Sequence, residues 1–155
     1  MRKGFWLVLA LLVVGTVYAL DKEEFDAVVD FETTLADIPE IAAALDRGEP
    51  IDERVVLLEG TVSGTVTLVP DPEQFEAILF LLTGEWDGVE EMETYECYIR
   101  VVGPEFAERI PARRPREPAP GTILINSRVL VAGVIAGLTM DGTVLIDGFH
   151  VRVVD

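Results

Sequence analysis

Few side chains in this 155-residue chain could act as a nucleophile or a general base. The only histidine is His150 and the only cysteine is Cys97, and together they do not make a tetrahedral zinc site. Neither of the two serines, Ser63 and Ser127, lies in a G-x-S-x-G turn. Paired carboxylates could still act as acid and base, but among 28 acidic residues no single pair is informative. We therefore predict no enzymatic activity, no metal and no cofactor, with a carboxylate-dependent hydrolase as the weaker alternative.

An acidic stretch, GEWDGVEEMETYE at residues 84–96, is the first candidate for a binding site. Its carboxylate oxygens suit calcium or a cationic partner, although their spacing does not match an EF-hand loop. The alternative is a solvated hairpin tip. Trp86 stands among these acids, and an exposed indole is unusual unless it packs or binds. We take Trp86, Asp87 and Glu90 as candidate ligand-binding residues.

The last third of the chain predicts a β-hairpin. Two β-rich runs within residues 121–154 meet at Asp141-Gly142, a dipeptide typical of two-residue hairpin turns. Glycines inside both runs indicate bends or bulges that would curl the sheet into a small barrel. Alternation assigns one face before the turn to Val129, Val131, Gly133 and Ile135, and one face after it to Leu145, Phe149, Val151 and Val153.

The earlier part of the chain changes from a helical to a β pattern. Residues 20–49 predict an N-terminal helical segment, which Pro50 ends. A short helix is predicted after Gly103-Pro104, followed by a proline-rich basic loop at residues 110–121 that serves as a spacer. Three strands are predicted between these helices, over 53–69, 75–82 and 95–102. The second is apolar on both faces, so we expect the helical segment to cover it; the alternative is that the segment is a partner-binding arm.

This order of elements resembles the OB-fold. The stretches GTVSGTVTL, YECYIRVVG, RVLVAGVIAG and TVLIDGFHVRVV are similar to those of small exported bacterial OB-fold proteins and of OB domains related to the tRNA anticodon-binding type. The resemblance covers residues 51–155 and implies a mainly β, five-stranded Greek-key barrel with a short helix between strands 3 and 4. It also implies a ligand surface on strands 2 and 3 and the flanking turns. By position, that surface holds Tyr98 and Arg100 on the sheet, with 70–73 and 139–143, including Asp141, at the rim.

The N-terminus has the pattern of a secretory signal. Arg2 and Lys3 precede an apolar run, and Val17-Tyr18-Ala19 is an A-x-A-like cleavage site. The run is shorter than the roughly 20 residues of a spanning helix; an uncleaved N-terminal anchor is the alternative. We therefore divide the chain into a signal peptide at 1–19, a helical segment at 20–49 and the barrel at 50–155, and predict export to the periplasm or the extracellular space.

The charge of the chain limits the kinds of partner it is expected to bind. The formal net charge is −16, and a polyanion is repelled by phosphate backbones, so we predict that nucleic acid is disfavoured relative to a protein or a small cationic or neutral ligand. A lone cysteine excludes an internal disulfide, and we expect Cys97 to be a buried thiol. The predicted function is an exported, non-enzymatic binding or interaction module. The alternative is an envelope structural or assembly protein that acts through its N-terminal helix and acidic surface.

Overall fold

The computed structural model describes residues 22–87 and 91–154, without the side chains of residues 85–87 and 91. Two helices and a two-residue strand precede five long strands, with a short third helix between the third and fourth of these. In chain order the elements are α1 Lys22–Val28, β1 Val29–Asp30, a 3-10 turn Leu35–Asp37, α2 Ile38–Asp46, β2 Val55–Val69, β3 Glu76–Asp87, β4 Glu91–Val102, α3 Pro104–Ala107, β5 Arg128–Leu138 and β6 Val144–Val153.

The five long strands close into a barrel. Their order is β2-β3-β4-β6-β5, and β5 pairs again with β2. Neighbouring strands are antiparallel except for β4 and β6, which run parallel. This arrangement confirms the predicted mainly β, OB-fold-like barrel with an N-terminal helix and a short helix after the third barrel strand. The strands β3 and β4 extend further than predicted, because they continue into the acidic stretch as a paired hairpin.

The core follows from the period-2 alternation of the strands. In β3, Leu79 and Leu81 are fully buried, whereas Ile78, Phe80 and Leu82 on the opposite face are half-buried. The face predicted for β5 is confirmed, since every one of its four residues is buried. Inside the barrel lie Val56, Leu58, Val62, Ala77, Leu79, Leu81, Cys97, Ile99, Val101, Val129, Val131, Val144, Ile146 and Val151.

The helices cover the barrel ends. Leu35 and Ile38 are buried, and α2 contacts β4, β5 and β6 beside Tyr95 and Val144. At the other end of β4, the buried Phe106 of α3 covers the core. The N-terminal helical segment does contact β3 through the 3-10 turn Leu35–Asp37 at the barrel end. The expected cover over the outer face of Ile78 and Phe80 is not what the structure shows, because α2 lies against β4, β5 and β6. On that face, Tyr98 of the neighbouring strand β4 packs against Phe80, whose side chain is half-buried.

The closing hairpin departs from prediction at two points. Its loop has three residues, Met140–Gly142, because Thr139 N–H donates to the Thr143 carbonyl (2.9 Å) and closes the hairpin there. Within the loop, Gly142 N–H donates to the Thr139 carbonyl (3.0 Å), and Gly142 has a φ of +83°. In β6, Phe149 is a bulge between the pairs Gly133–Gly148 and Ala132–His150. The bulge shifts the alternation by one residue. The core therefore receives Val144, Ile146 and Val151, while Leu145 is half-buried and Phe149 is exposed.

Among the described residues, no helix combines the length and apolar character needed to cross a membrane. The predicted signal peptide at 1–19 lies outside the described residues, as does Glu90.

Candidate functional site

Two aromatic rings lie side by side on the outer face of β3 and β4. Phe80 and Tyr98 are directly opposite each other in the antiparallel ladder, with ring centroids 4.9 Å apart and planes tilted by 36°. Both side chains are half-buried, so each ring keeps a surface that a ligand could reach. Aromatic pairs at this separation attract one another, and the pair is expected to be rigid.

A glycine on β2 makes room for this pair. Gly64 lies opposite Phe80, and a Cβ at residue 64 would meet the Phe80 ring at 2.7 Å. The ring therefore rests on the β2 backbone. A bulge at Ser63 sets this register, and Ser63 Oγ donates to the Phe80 carbonyl (3.3 Å). We refer to Gly64, Phe80 and Tyr98 as the aromatic platform.

The β5–β6 loop is tied to the platform by hydrogen bonds. Tyr98 Oη donates to Asp141 Oδ2 (3.1 Å), and Asp141 Oδ1 accepts from the Thr143 N–H (3.2 Å) and from Thr139 Oγ1. The bond from Thr139, followed by that from Thr143, holds the pKa of Asp141 below its usual value. The carboxylate thus stays ionised and fixes the loop against the Tyr98 hydroxyl.

Two residues beyond Tyr98 along β4, Arg100 forms a bidentate ion pair with Asp147 of β6. Arg100 Nε donates to Oδ1 (2.7 Å) and Nη2 to Oδ2 (2.8 Å), and the two residues are paired across the β4–β6 ladder. The hydrogen bonds to Asp147 raise the pKa of Arg100. A cavity of about 500 Å³ lies beside the pair and is also lined by Glu76, Glu105 and Phe149. The guanidinium is therefore already occupied by a carboxylate.

The structure brings three of the six predicted site residues together: Tyr98, Arg100 and Asp141. Trp86 and Asp87 lie at the far end of β3, paired through the backbone with Met92 and Glu91, and their side chains are outside what is described. The predicted rim turn at 70–73 follows β2 in the structure. Sequence reasoning missed Phe80, Gly64 and Asp147. Alternation in β3 could have put Phe80 on the outer face, but its partners depend on register.

The described residues provide no metal centre or reactive thiol. Among them, no group of three or more His, Cys, Asp or Glu side chains is placed to hold a metal ion. Cys97 is fully buried, and burial together with the nearby Glu96 raises the pKa of its thiol to about 12. Such a thiol stays protonated and unreactive at neutral pH. What the arrangement offers is recognition by stacking and hydrogen bonding.

Comparison with known proteins gives matches of fold. No protein-family model matches the chain, and no curated protein matches it. The structure is similar to that of a small single-stranded DNA-binding protein from Streptomyces coelicolor, with 11% identity, a TM-score of 0.46, and coverage of 68% of this chain and 96% of that one. It is also similar to the protein PriB from Ralstonia solanacearum, with 8% identity, a TM-score of 0.42, and coverage of 65% and 97%. At these identities the similarity concerns the fold alone.

The prediction that nucleic acid is a disfavoured partner is contradicted by the first of these similarities, since a protein described as binding single-stranded DNA has this type of barrel. The prediction of a module that favours cationic or neutral partners over nucleic acid is therefore also wrong. The physical error was to let the net charge decide. Twelve of the 28 acidic residues lie in residues 21–54 and six in 85–96, whereas residues 97–155 hold seven arginines and six acids.

Proposed function

We propose that this protein binds single-stranded nucleic acid by stacking bases on the aromatic platform. The observation that carries the proposal is the Phe80–Tyr98 pair on the outer face of adjacent barrel strands, where each ring keeps an accessible surface. The equivalent face is the one on which OB-folds bind oligonucleotides. Stacking contributes about 1–3 kcal/mol per base and tolerates any sequence, because every base has a π-face.

The surroundings of the platform favour stacking over phosphate contact. Val66 and Ile78 lie in the next row of the outer face, opposite each other, and add apolar surface. The one arginine in that row, Arg100, is held by Asp147 in a bidentate pair. Little of the binding energy at the platform itself should therefore come from charge, and binding there should depend only weakly on salt.

The test is fluorescence anisotropy with a labelled 12-nucleotide thymidine oligomer. Phe80→Ala and Tyr98→Ala should each weaken binding by about 5- to 150-fold, the equivalent of one lost stack. Phe31→Ala is the matched control, because Phe31 is an exposed aromatic residue outside the barrel strands. Urea denaturation of each variant would show whether the fold survives. Wild-type protein that binds no oligomer, or platform variants that bind like wild type, would contradict the proposal.

We also propose that the protein is a binding module without a catalytic step. The inventory of His150, Cys97, Ser63 and Ser127 supports this, as does the burial of the single thiol.

Finally, we propose that it belongs with small exported bacterial OB-fold proteins, supported by the basic and apolar N-terminal pattern. N-terminal sequencing of protein isolated from its source cells should then find Leu20 as the first residue; a retained N-terminus would point to an anchor.

A further inference from the structure

Three arginines that lie close together in the chain form no ion pair with a described carboxylate. Arg47, Arg54, Arg100 and Arg128 each form an ion pair with a carboxylate: Glu49, Asp52 and Asp30, Asp147, and Glu59, respectively. In contrast, Arg113, Arg114 and Arg116 are exposed and form no ion pair with any residue in 22–87 or 91–154. Lys22, Arg109 and Arg152 also have no ion pair within the described residues. The arginine loop, residues 111–120, differs from them because it places three exposed cations within four residues.

The arginine loop is held at both ends. Ile110 and Ile123 are buried in the core, and Ile123 N–H donates to the Arg109 carbonyl (2.7 Å). Arg109 itself donates to the carbonyls of Gly121 (3.1 Å) and Val151 (2.7 Å). Four prolines within the loop restrict its backbone further. A loop so constrained loses little conformational entropy on binding, which goes beyond the spacer role that the sequence predicted.

The loop borders the strand on which the platform rests. Arg114, Pro111 and Thr65 line one cavity of about 330 Å³, together with residues 123–126. Thr65 follows Gly64, against which the Phe80 ring lies. Because neighbouring strands are about 4.8 Å apart, a ligand that crosses from Tyr98 over Phe80 and Gly64 reaches this edge within a few nucleotides.

We propose that Arg114, with Arg113 and Arg116 on the same loop, forms a phosphate-binding site for the nucleic-acid backbone at the β2 edge of the platform. This inference rests on the proposed function. It gives the two surfaces different roles: the platform stacks bases, while the arginine loop contacts phosphates. Arg100 cannot take the second role, because Asp147 occupies its bidentate face.

The experiment compares two double variants that change the net charge equally. Arg113→Gln with Arg114→Gln removes two loop cations. Lys22→Gln with Arg47→Gln removes one cation from α1 and one directly after α2. Each released counterion contributes about 0.7 to the slope of log affinity against log salt for a single strand. The loop variant should therefore lower that slope by about 1.4 and weaken binding roughly tenfold at low salt. The control variant should keep the wild-type slope.

A methylphosphonate oligomer, whose backbone is uncharged, separates phosphate contact from structural support. The loop variant should bind this oligomer as wild type does. If the loop variant loses equal affinity for the charged and uncharged oligomers, or keeps the wild-type salt slope, the proposal of a phosphate site is overturned. The proposed function would still stand in that case if Phe80→Ala weakens binding. Wild-type protein that binds neither oligomer would overturn the proposed function itself.

Discussion

Gly133 is a position where a single methyl group should strain the barrel. An added Cβ would lie 2.6 Å from the Asp147 carbonyl oxygen and 2.8 Å from Ile146 Cγ2, both on the neighbouring strand β6. A backbone oxygen cannot turn aside as a side chain can, so β5 and β6 would have to separate at the bulge. Overpacking of a buried site costs about 1–3 kcal/mol. We therefore expect Gly133→Ala to lower the free energy of unfolding by that amount.

Gly84→Ala is the matched control within the same sheet. The nearest atom to its added Cβ is Met92 Sδ at 3.1 Å, and Met92 is an exposed, flexible side chain. This variant should change stability by less than about 0.5 kcal/mol, or stabilise the protein slightly by restricting the unfolded chain. Urea denaturation would measure both, and with a slope of about 2 kcal/mol/M the midpoints should differ by about 1 M. Coinciding midpoints would refute the idea that contact with the β6 backbone requires glycine.

Two further predictions concern the closing loop and the buried thiol. Gly142→Val should destabilise the barrel by about 1–3 kcal/mol, because residue 142 has a φ of +83°; Gly142→Asn, which tolerates this conformation better, should cost less in the same denaturation assay. The pKa of Cys97 is raised from 9.0 to about 12, so the thiol of the unfolded chain ionises at lower pH than that of the folded protein. The contribution of Cys97 to the free energy of unfolding is therefore complete below pH 9 and is lost as pH rises toward 12. Above pH 9 wild type should lose up to about 1.4 kcal/mol per pH unit more than Cys97→Ala, and parallel pH profiles would contradict this.

Alternation in the sequence predicted the barrel because each strand has one face in the core. The prediction succeeded for β5, whose pairing is regular over Val129 and Val131. On β6 the predicted face held for Val151, beyond the bulge, and failed for Leu145 and Phe149, which lie outside the core. The reason is that alternation assumes an unbroken ladder. A bulge at Phe149 inserts one residue, and every side chain beyond it changes face. Nothing in the composition of the strand marks Phe149, rather than a neighbour, as the inserted residue.

The site was partly predictable for a similar reason. Tyr98, Arg100 and Asp141 followed from the resemblance to the OB-fold, and they do lie together. Their partners did not follow, because Phe80 and Asp147 are defined by the register between strands. The helical segment was expected to cover β3 because the sequence shows apolar residues on both faces of this strand. The sequence does not show that Phe80 and Tyr98 cover each other on the outer face.

The use of net charge failed for a reason of distance. Asp87 is seven residues from Phe80 along β3, which at about 3.3 Å per residue is roughly 23 Å, whereas the Debye length at physiological ionic strength is about 8 Å. The acids at the far end of the hairpin are thus screened from a ligand on the platform. Glu96, opposite Leu82, is near enough to repel a phosphate. At about 0.01 M salt the Debye length grows to about 30 Å, and the same hairpin acids then act on the whole face. Added salt weakens both the repulsion by the hairpin and the attraction by the arginine loop. The first change raises the affinity for an anionic ligand and the second lowers it, so a single net charge describes neither.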